Sequence, residues 1–113
     1  MKFMLLIHDK EGVATPPQVA TMSEEHAAYQ QALIKAGILL GGERLRPTSE
    51  GARVRVRDGK TELLDGPYAE TKEQFGGYYM IEVPDMAAAQ DWASQCPSAK
   101  TGTVEVRPLW LRN

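Results

Sequence analysis

Residues 2–8, Lys-Phe-Met-Leu-Leu-Ile-His, are apolar on both alternating sets, with Phe3, Leu5 and Ile7 on one and Met4 and Leu6 on the other. Side chains along a strand alternate between the two sheet faces, so a strand of this kind needs cover on both sides. No other stretch restricts the fold as much. The polar run from Asp9 to Gly12 ends it.

The elements that follow decide what supplies the cover. Thr15-Pro16-Pro17-Gln18 is a helix entry, with Thr15 as N-cap, Pro16 at the first helical position and Gln18 completing a capping box. Thr21-Met22-Ser23-Glu24 repeats the signal, which predicts a short helical turn leading into a main helix that runs to about Ala36 and stops at Gly37. Its inward stripe is Met22, Tyr29, Leu33 and Ala36, and His26 falls on that stripe, four residues after Met22 and three before Tyr29. Ile38-Leu39-Leu40 with Gly41-Gly42 reads as a strand made irregular by its glycines. Arg53-Val54-Arg55-Val56-Arg57 alternates as a strand with one wet face, Asp58-Gly59 is a hairpin turn, and Thr61–Leu64 returns. Gly76-Gly77 is a break before a strand from Tyr78 to Val83, with Tyr79, Ile81 and Val83 on one face. Asp85 caps a second helix whose stripe is Met86, Ala89, Ala93 and Cys96, with Trp92 alongside, and Pro97 closes it. Thr103–Arg107 is the last strand, and Pro108-Leu109-Trp110-Leu111 is an apolar tail.

Strand, helix, strand, hairpin, strand, helix, strand predicts an α+β fold, a ferredoxin-like two-layer sandwich. Two helices cover one face of its sheet. The other face of the first strand then falls to a second copy of the chain across a twofold axis, giving a homodimer. With 113 residues, 42% of them hydrophobic and 25% charged, residues 1–113 are expected to form a single domain. A net charge of −2 argues against nucleic acid or an anionic membrane as partner. One cysteine precludes an intrachain disulfide, and the opening apolar run is too short for a signal-peptide core or a membrane span, so a cytoplasmic location is expected.

Asp65-Gly66-Pro67-Tyr68-Ala69-Glu70-Thr71-Lys72-Glu73-Gln74, followed by Gly76-Gly77, resembles the signature of YCII-related proteins of the DGPF type. Tyr68 stands where that family has its phenylalanine, adding a hydroxyl. The resemblance implies a dimeric α+β barrel. It also implies an active-site pair made by a histidine of the first helix and an aspartate at the end of the first strand; the matching positions are His26 and Asp9, the latter in Ile7-His8-Asp9-Lys10. A carboxylate beside an imidazole raises its pKa and orients it for acid–base work.

Each candidate has a plainer reading. A histidine on a buried stripe is often a core residue bonded to a backbone carbonyl. Asp65 before Gly-Pro is a turn cap by its chemistry, while the resemblance places it at the sheet mouth as a third catalytic candidate. Tyr68, Glu43, Tyr29 and Glu70 are candidates for the substrate pocket, although Glu43 and Glu70 also read as solvated surface charges. Arg53, Arg55 and Arg57, with Arg44 and Arg46, form a local basic patch fit for an anionic ligand, a solvated strand face or a subunit rim. His8, His26, Asp9 and Glu43 lack metal-ligand spacing, and no Walker loop, nucleophile elbow or dinucleotide fingerprint is present, so neither metal nor cofactor is expected. Cys96 reads as packing.

Two functions fit these residues. In one, the chain is a small cofactor-independent enzyme acting on a small organic molecule, with His26 as general acid or base and Asp9 or Asp65 as its carboxylate. In the other, it is a ligand-binding or regulatory dimer without turnover, and the DGPF resemblance implies an association with extracytoplasmic-function sigma factor systems. The two differ in what His26 should contact: a carboxylate beside a cavity, or backbone within the core.

Overall fold

The structure is a computed structural model that describes residues 1–65 and 73–110, Asp65 by its backbone only. β1 (Lys2–Asp9) lies inside a four-stranded antiparallel sheet, between β5 (Gln74–Glu82) and the edge strand β6 (Thr103–Pro108). β2 (Leu39–Arg44) pairs with the far side of β5 and forms the other edge. This is the strand order of the expected ferredoxin-like sandwich. Phe3, Leu5 and Ile7 are buried, and the same face carries Tyr79, Ile81, Val104 and Val106 by register. Leu33, Tyr29, Ala89 and Ala93 from the two helices close over them.

α1 (Pro16–Lys35) is one continuous helix, not a turn followed by a helix. Thr15 and Gln18 form the complete capping box, so the later Thr21–Glu24 signal falls inside a helix already started. Of its expected inward stripe, Tyr29 and Leu33 are buried and Met22 and His26 half-buried, while Ala36 is exposed. α2 (Met86–Ser94) is capped by Asp85, whose carboxylate accepts from the Ala88 amide, and it ends two residues before Cys96. Cys96 and Ser98 are buried in the helical turn Pro97–Ala99 and its approach.

β5 starts earlier than the Gly76-Gly77 break predicts. Both glycines lie within the strand, where the register against β1 shifts between Ile7 and His8. A Cβ on Gly77 would stand 2.9 Å from the Glu43 carbonyl oxygen, so glycine is required by close approach of β2 rather than by a turn.

Among the described residues, β3 (Ala52–Arg57) and β4 (Lys60–Asp65) pair only with each other. Asp58 and Gly59 both have positive φ, 53° and 75°, the geometry expected of their two-residue turn. The expected dry face of this hairpin is not dry: Val54 is 62% exposed, Val56 58% and Leu63 70%. The radius of gyration is 16.0 Å, against about 13 Å for a globular domain of this size, because the hairpin extends and the molecule is only 19 Å deep.

Candidate functional site

The candidate site lies at the end of the sheet where β1 and β2 finish and β5 and β6 begin. His26, near the middle of α1, meets the inner face there. Its Nδ1 is 2.8 Å from the Tyr79 hydroxyl and its Nε2 is 2.9 Å from Ser98 Oγ. Tyr79 belongs to β5 and Ser98 to the turn after α2, so three separated segments hold one imidazole. A neutral imidazole donates from one nitrogen and accepts at the other, and a hydroxyl can do either. Both tautomers are therefore satisfied, and the imidazolium is as well, since both hydroxyls can accept.

The His26 ring runs nearly parallel to the Tyr79 ring, with centroids 6.0 Å apart and planes at 17°. Tyr29 meets Tyr79 edge-on at 5.2 Å and donates its own hydroxyl to the Trp92 carbonyl, 2.6 Å away. Burial holds both phenols in the neutral form, that of Tyr79 being pushed up to about 12. Burial also raises the Cys96 thiol, consistent with packing.

His26 is held below its ordinary pKa of 6.5. Partial burial is the main cause and the Arg44 guanidinium the second; Asp9 and Glu25 act in the opposite direction without overcoming them. This differs from the expectation of a carboxylate-raised histidine. Asp9 is near enough to act on the ring through space, but it is not the ring's hydrogen-bond partner. Its carboxylate instead accepts from the Thr101 hydroxyl at 3.1 and 3.3 Å. Gly102 makes that position available: a Cβ there would be 2.6 Å from Asp9 Oδ1 and would collide with the His8 carbonyl.

Strand register fixes the rest. Gly42 pairs with Tyr79 and Arg44 with Gly77, so Arg44 shares the helix-facing side with Tyr79. Asp9, two residues after Ile7, stands on that side at the other end of the row. The site is thus an imidazole above an inner sheet face, with a carboxylate toward β6 and a guanidinium toward β2. An open groove of about 300 Å³ between α2 and β6, lined by Ala93, Ser94, Gly102, Thr103 and Val106 among others, reaches Gly102 and so approaches the carboxylate side.

The other predicted residues are not gathered here. Glu43 pairs with Tyr78 on the face away from the helices, opposite to His26. Tyr29 is a core residue whose hydroxyl is satisfied by backbone. Asp65 ends β4 opposite Ala52, and its side chain, like Tyr68 and Glu70, lies outside the described residues. His8 faces outward, 3.3 Å from Glu105, so it cannot join His26 around one ion. Among the described residues no three His, Cys, Asp or Glu side chains converge as metal ligands, and no helix is long and apolar enough to cross a membrane.

A family model of the YCII-related domain matches residues 1–112. The chain belongs to the YCII-related family. Its relatives include an uncharacterised protein of Rhizobium meliloti (strain 1021), 35% identical over 116 residues that cover 98% of this chain and 94% of that protein. Among solved structures it is similar to 5-chloro-2-hydroxyhydroquinone dehydrochlorinase (TftG) from Burkholderia phenoliruptrix AC1100, in complex with 2,5-dihydroxybenzoquinone. The TM-score is 0.55 at 17% identity, covering 100% of this chain and 96% of that one, which is a likeness of fold. That neighbour shares the α+β architecture on which the YCII-related chain places His26.

Proposed function

We propose that this YCII-related protein is a small-molecule enzyme that moves a proton with His26 and needs no cofactor to do so. The observation that carries the reading is a half-buried histidine, kept neutral near pH 7, between two hydroxyls and flanked by Asp9 and Arg44. A neutral imidazole is the form that accepts a proton, as a general base must. With Nδ1 bonded to Tyr79, the hydroxyl acts as the bridge. The substrate's proton passes to the Tyr79 oxygen as the phenolic proton passes to Nδ1, and the bonding pair stays on the substrate. Asp9 then offsets the imidazolium charge. The dehydrochlorinase TftG lends a precedent for an enzyme on this fold, without carrying its substrate over.

The functional unit is a homodimer. Met4, Leu6, Tyr78 and Met80 occupy the sheet face that no helix among the described residues covers, and each is only half-buried within one chain. An apolar sheet face of this kind is closed most simply by its twofold copy.

A second reading is favoured by one feature. Both ring nitrogens are already bonded within the unliganded protein, as suits a ligand-binding or regulatory dimer without turnover, including one serving an extracytoplasmic-function sigma factor system. Solvent-exchange NMR separates the two. In D2O, a panel of small 1,3-dicarbonyl compounds and hydroxyquinones is followed for protein-dependent loss of acidic C–H signal. The enzyme reading expects exchange that His26→Gln abolishes while the circular dichroism is unchanged. Binding shifts without exchange, the same in His26→Gln and wild type, would replace it with the second reading.

A further inference from the structure

The basic patch legible in the sequence separates, in the structure, into groups with different occupations. Arg55 is bonded to Glu62 across the hairpin at 2.6 Å, Arg46 to Glu50 at 2.9 Å, and Arg57 turns back onto the Val56 carbonyl at 3.0 Å. Arg44 is different. It ends β2 on the helix-facing side, two residues beyond the position paired with Tyr79, and it has no ion pair among the described residues. Its neighbour across the strand is Gly77, which puts no side chain between the guanidinium and the sheet floor. Its field reaches His26 more strongly than that of Asp9 does.

We propose that Arg44 is the anion anchor of the His26 site, so that the substrate is a small organic anion whose carboxylate or acidic enol oxygen sits between the guanidinium and the imidazole. The inference rests on the acid–base reading and deepens it. A guanidinium with no ion pair among the described residues, beside a half-buried imidazole, is poorly compensated without a ligand. A ligand oxyanion repairs this, and the planar guanidinium fork matches a carboxylate in two hydrogen bonds. The same arrangement serves the proton transfer. Negative charge that develops on a substrate oxygen as its proton leaves is stabilised by a cation already in place. Asp9, across the row, keeps the anion to the β2 side by repulsion.

The test compares salicylate with salicylamide, nearly the same shape without the carboxylate charge, at pH 7. Binding is read from shifts of the His26 ring signals in wild type, Arg44→Gln and Arg44→Lys. Salicylate is expected to bind wild type at least about tenfold more tightly than Arg44→Gln, the usual worth of a hydrogen bond to a charged group, with Arg44→Lys between them. Salicylamide is expected to bind weakly and without dependence on residue 44. Arg44 is exposed and has no ion pair among the described residues, so the variants keep the fold. In the absence of ligand the His26 pKa should rise in Arg44→Gln, because a positive neighbour is lost. The groups facing the ring that this titration must account for are Arg44 on β2, Asp9 on β1, Glu25 on α1 and Tyr79 on β5. Equal binding of salicylate to wild type and Arg44→Gln, or no Arg44-dependent binding of salicylate or inorganic phosphate at millimolar concentration, overturns the anchor. If proton exchange still depends on His26 in that case, the acid–base reading survives. Arg44-dependent binding with no exchange leaves the anchor standing and removes the acid–base step.

Discussion

Ser98→Ala measures how much of the site's geometry is held by one hydroxyl. Ser98 is 2% exposed and its Oγ is 2.9 Å from His26 Nε2. Removing the hydroxyl leaves a ring nitrogen without its partner, at a general cost of about 1–3 kcal/mol. His26 is only half-buried, so water relieves part of this and about 1.5 kcal/mol is expected. At roughly 4 °C per kcal/mol for a domain of this length, the melting temperature should fall by about 6 °C. The imidazolium loses more than the neutral ring, since hydrogen bonds to charged groups are the stronger ones, so the His26 pKa should move further down. The assay is a double-mutant cycle by urea unfolding, with Ser98→Ala made in wild type and in His26→Leu. In the His26→Leu background the serine hydroxyl is itself a buried group without a partner, and its removal should be neutral or stabilising. The same loss in both backgrounds would show that the bond contributes nothing, and would refute the claim that Ser98 positions the ring.

Because the folded-state pKa of His26 is depressed, the unfolded chain takes up the proton first as pH falls. Its contribution to stability is complete above about 6.5 and is lost between that value and the lower folded pKa; unfolding midpoints measured from pH 8 to 5 should show a decline that His26→Gln flattens. Gly102→Ala should displace the Asp9 carboxylate and the end of β1, lowering stability by about 1–3 kcal/mol in thermal unfolding, as overpacking does in general and as the 2.6 Å approach to Oδ1 requires. Leu6→Glu with Met80→Glu should convert a dimer to a monomer in sedimentation equilibrium, since charges would then occupy the uncovered sheet face.

The fold was legible wherever a local rule and the tertiary demand agreed. Thr15-Pro16-Pro17-Gln18 and Asp85 marked helix starts because their side chains satisfy amide groups that every helix leaves open. Asp58-Gly59 marked the hairpin because its turn needs two positive φ angles. The errors arose where glycine and valine answer to tertiary neighbours. Gly76-Gly77 read as a break, yet Gly77 lies mid-strand because β2 passes too close for a Cβ. Val54 and Val56 read as a dry face, yet both are left largely exposed by the described residues. Isolated two-stranded ribbons are at best marginally stable, so a face like this is a statement about what the chain meets rather than about the chain alone.

The site was half legible for the same reason. Helical period alone put His26 on the inward stripe of its helix, and its two partners follow from long-range register that no spacing records: Tyr79 is 53 residues away and Ser98 72. Tyr79 did leave a signal, since a tyrosine on the inward set of a buried strand must find a partner for its hydroxyl. Ser98 and Thr101 left none. The family resemblance supplied Asp9, and its carboxylate does act to raise the His26 pKa. The net shift is nevertheless downward, because burial and Arg44 together outweigh Asp9 and Glu25. That reversal changes the chemistry proposed. A histidine raised by its carboxylate would wait as an acid, whereas one held neutral beside a guanidinium waits as a base for a substrate that brings its own negative charge.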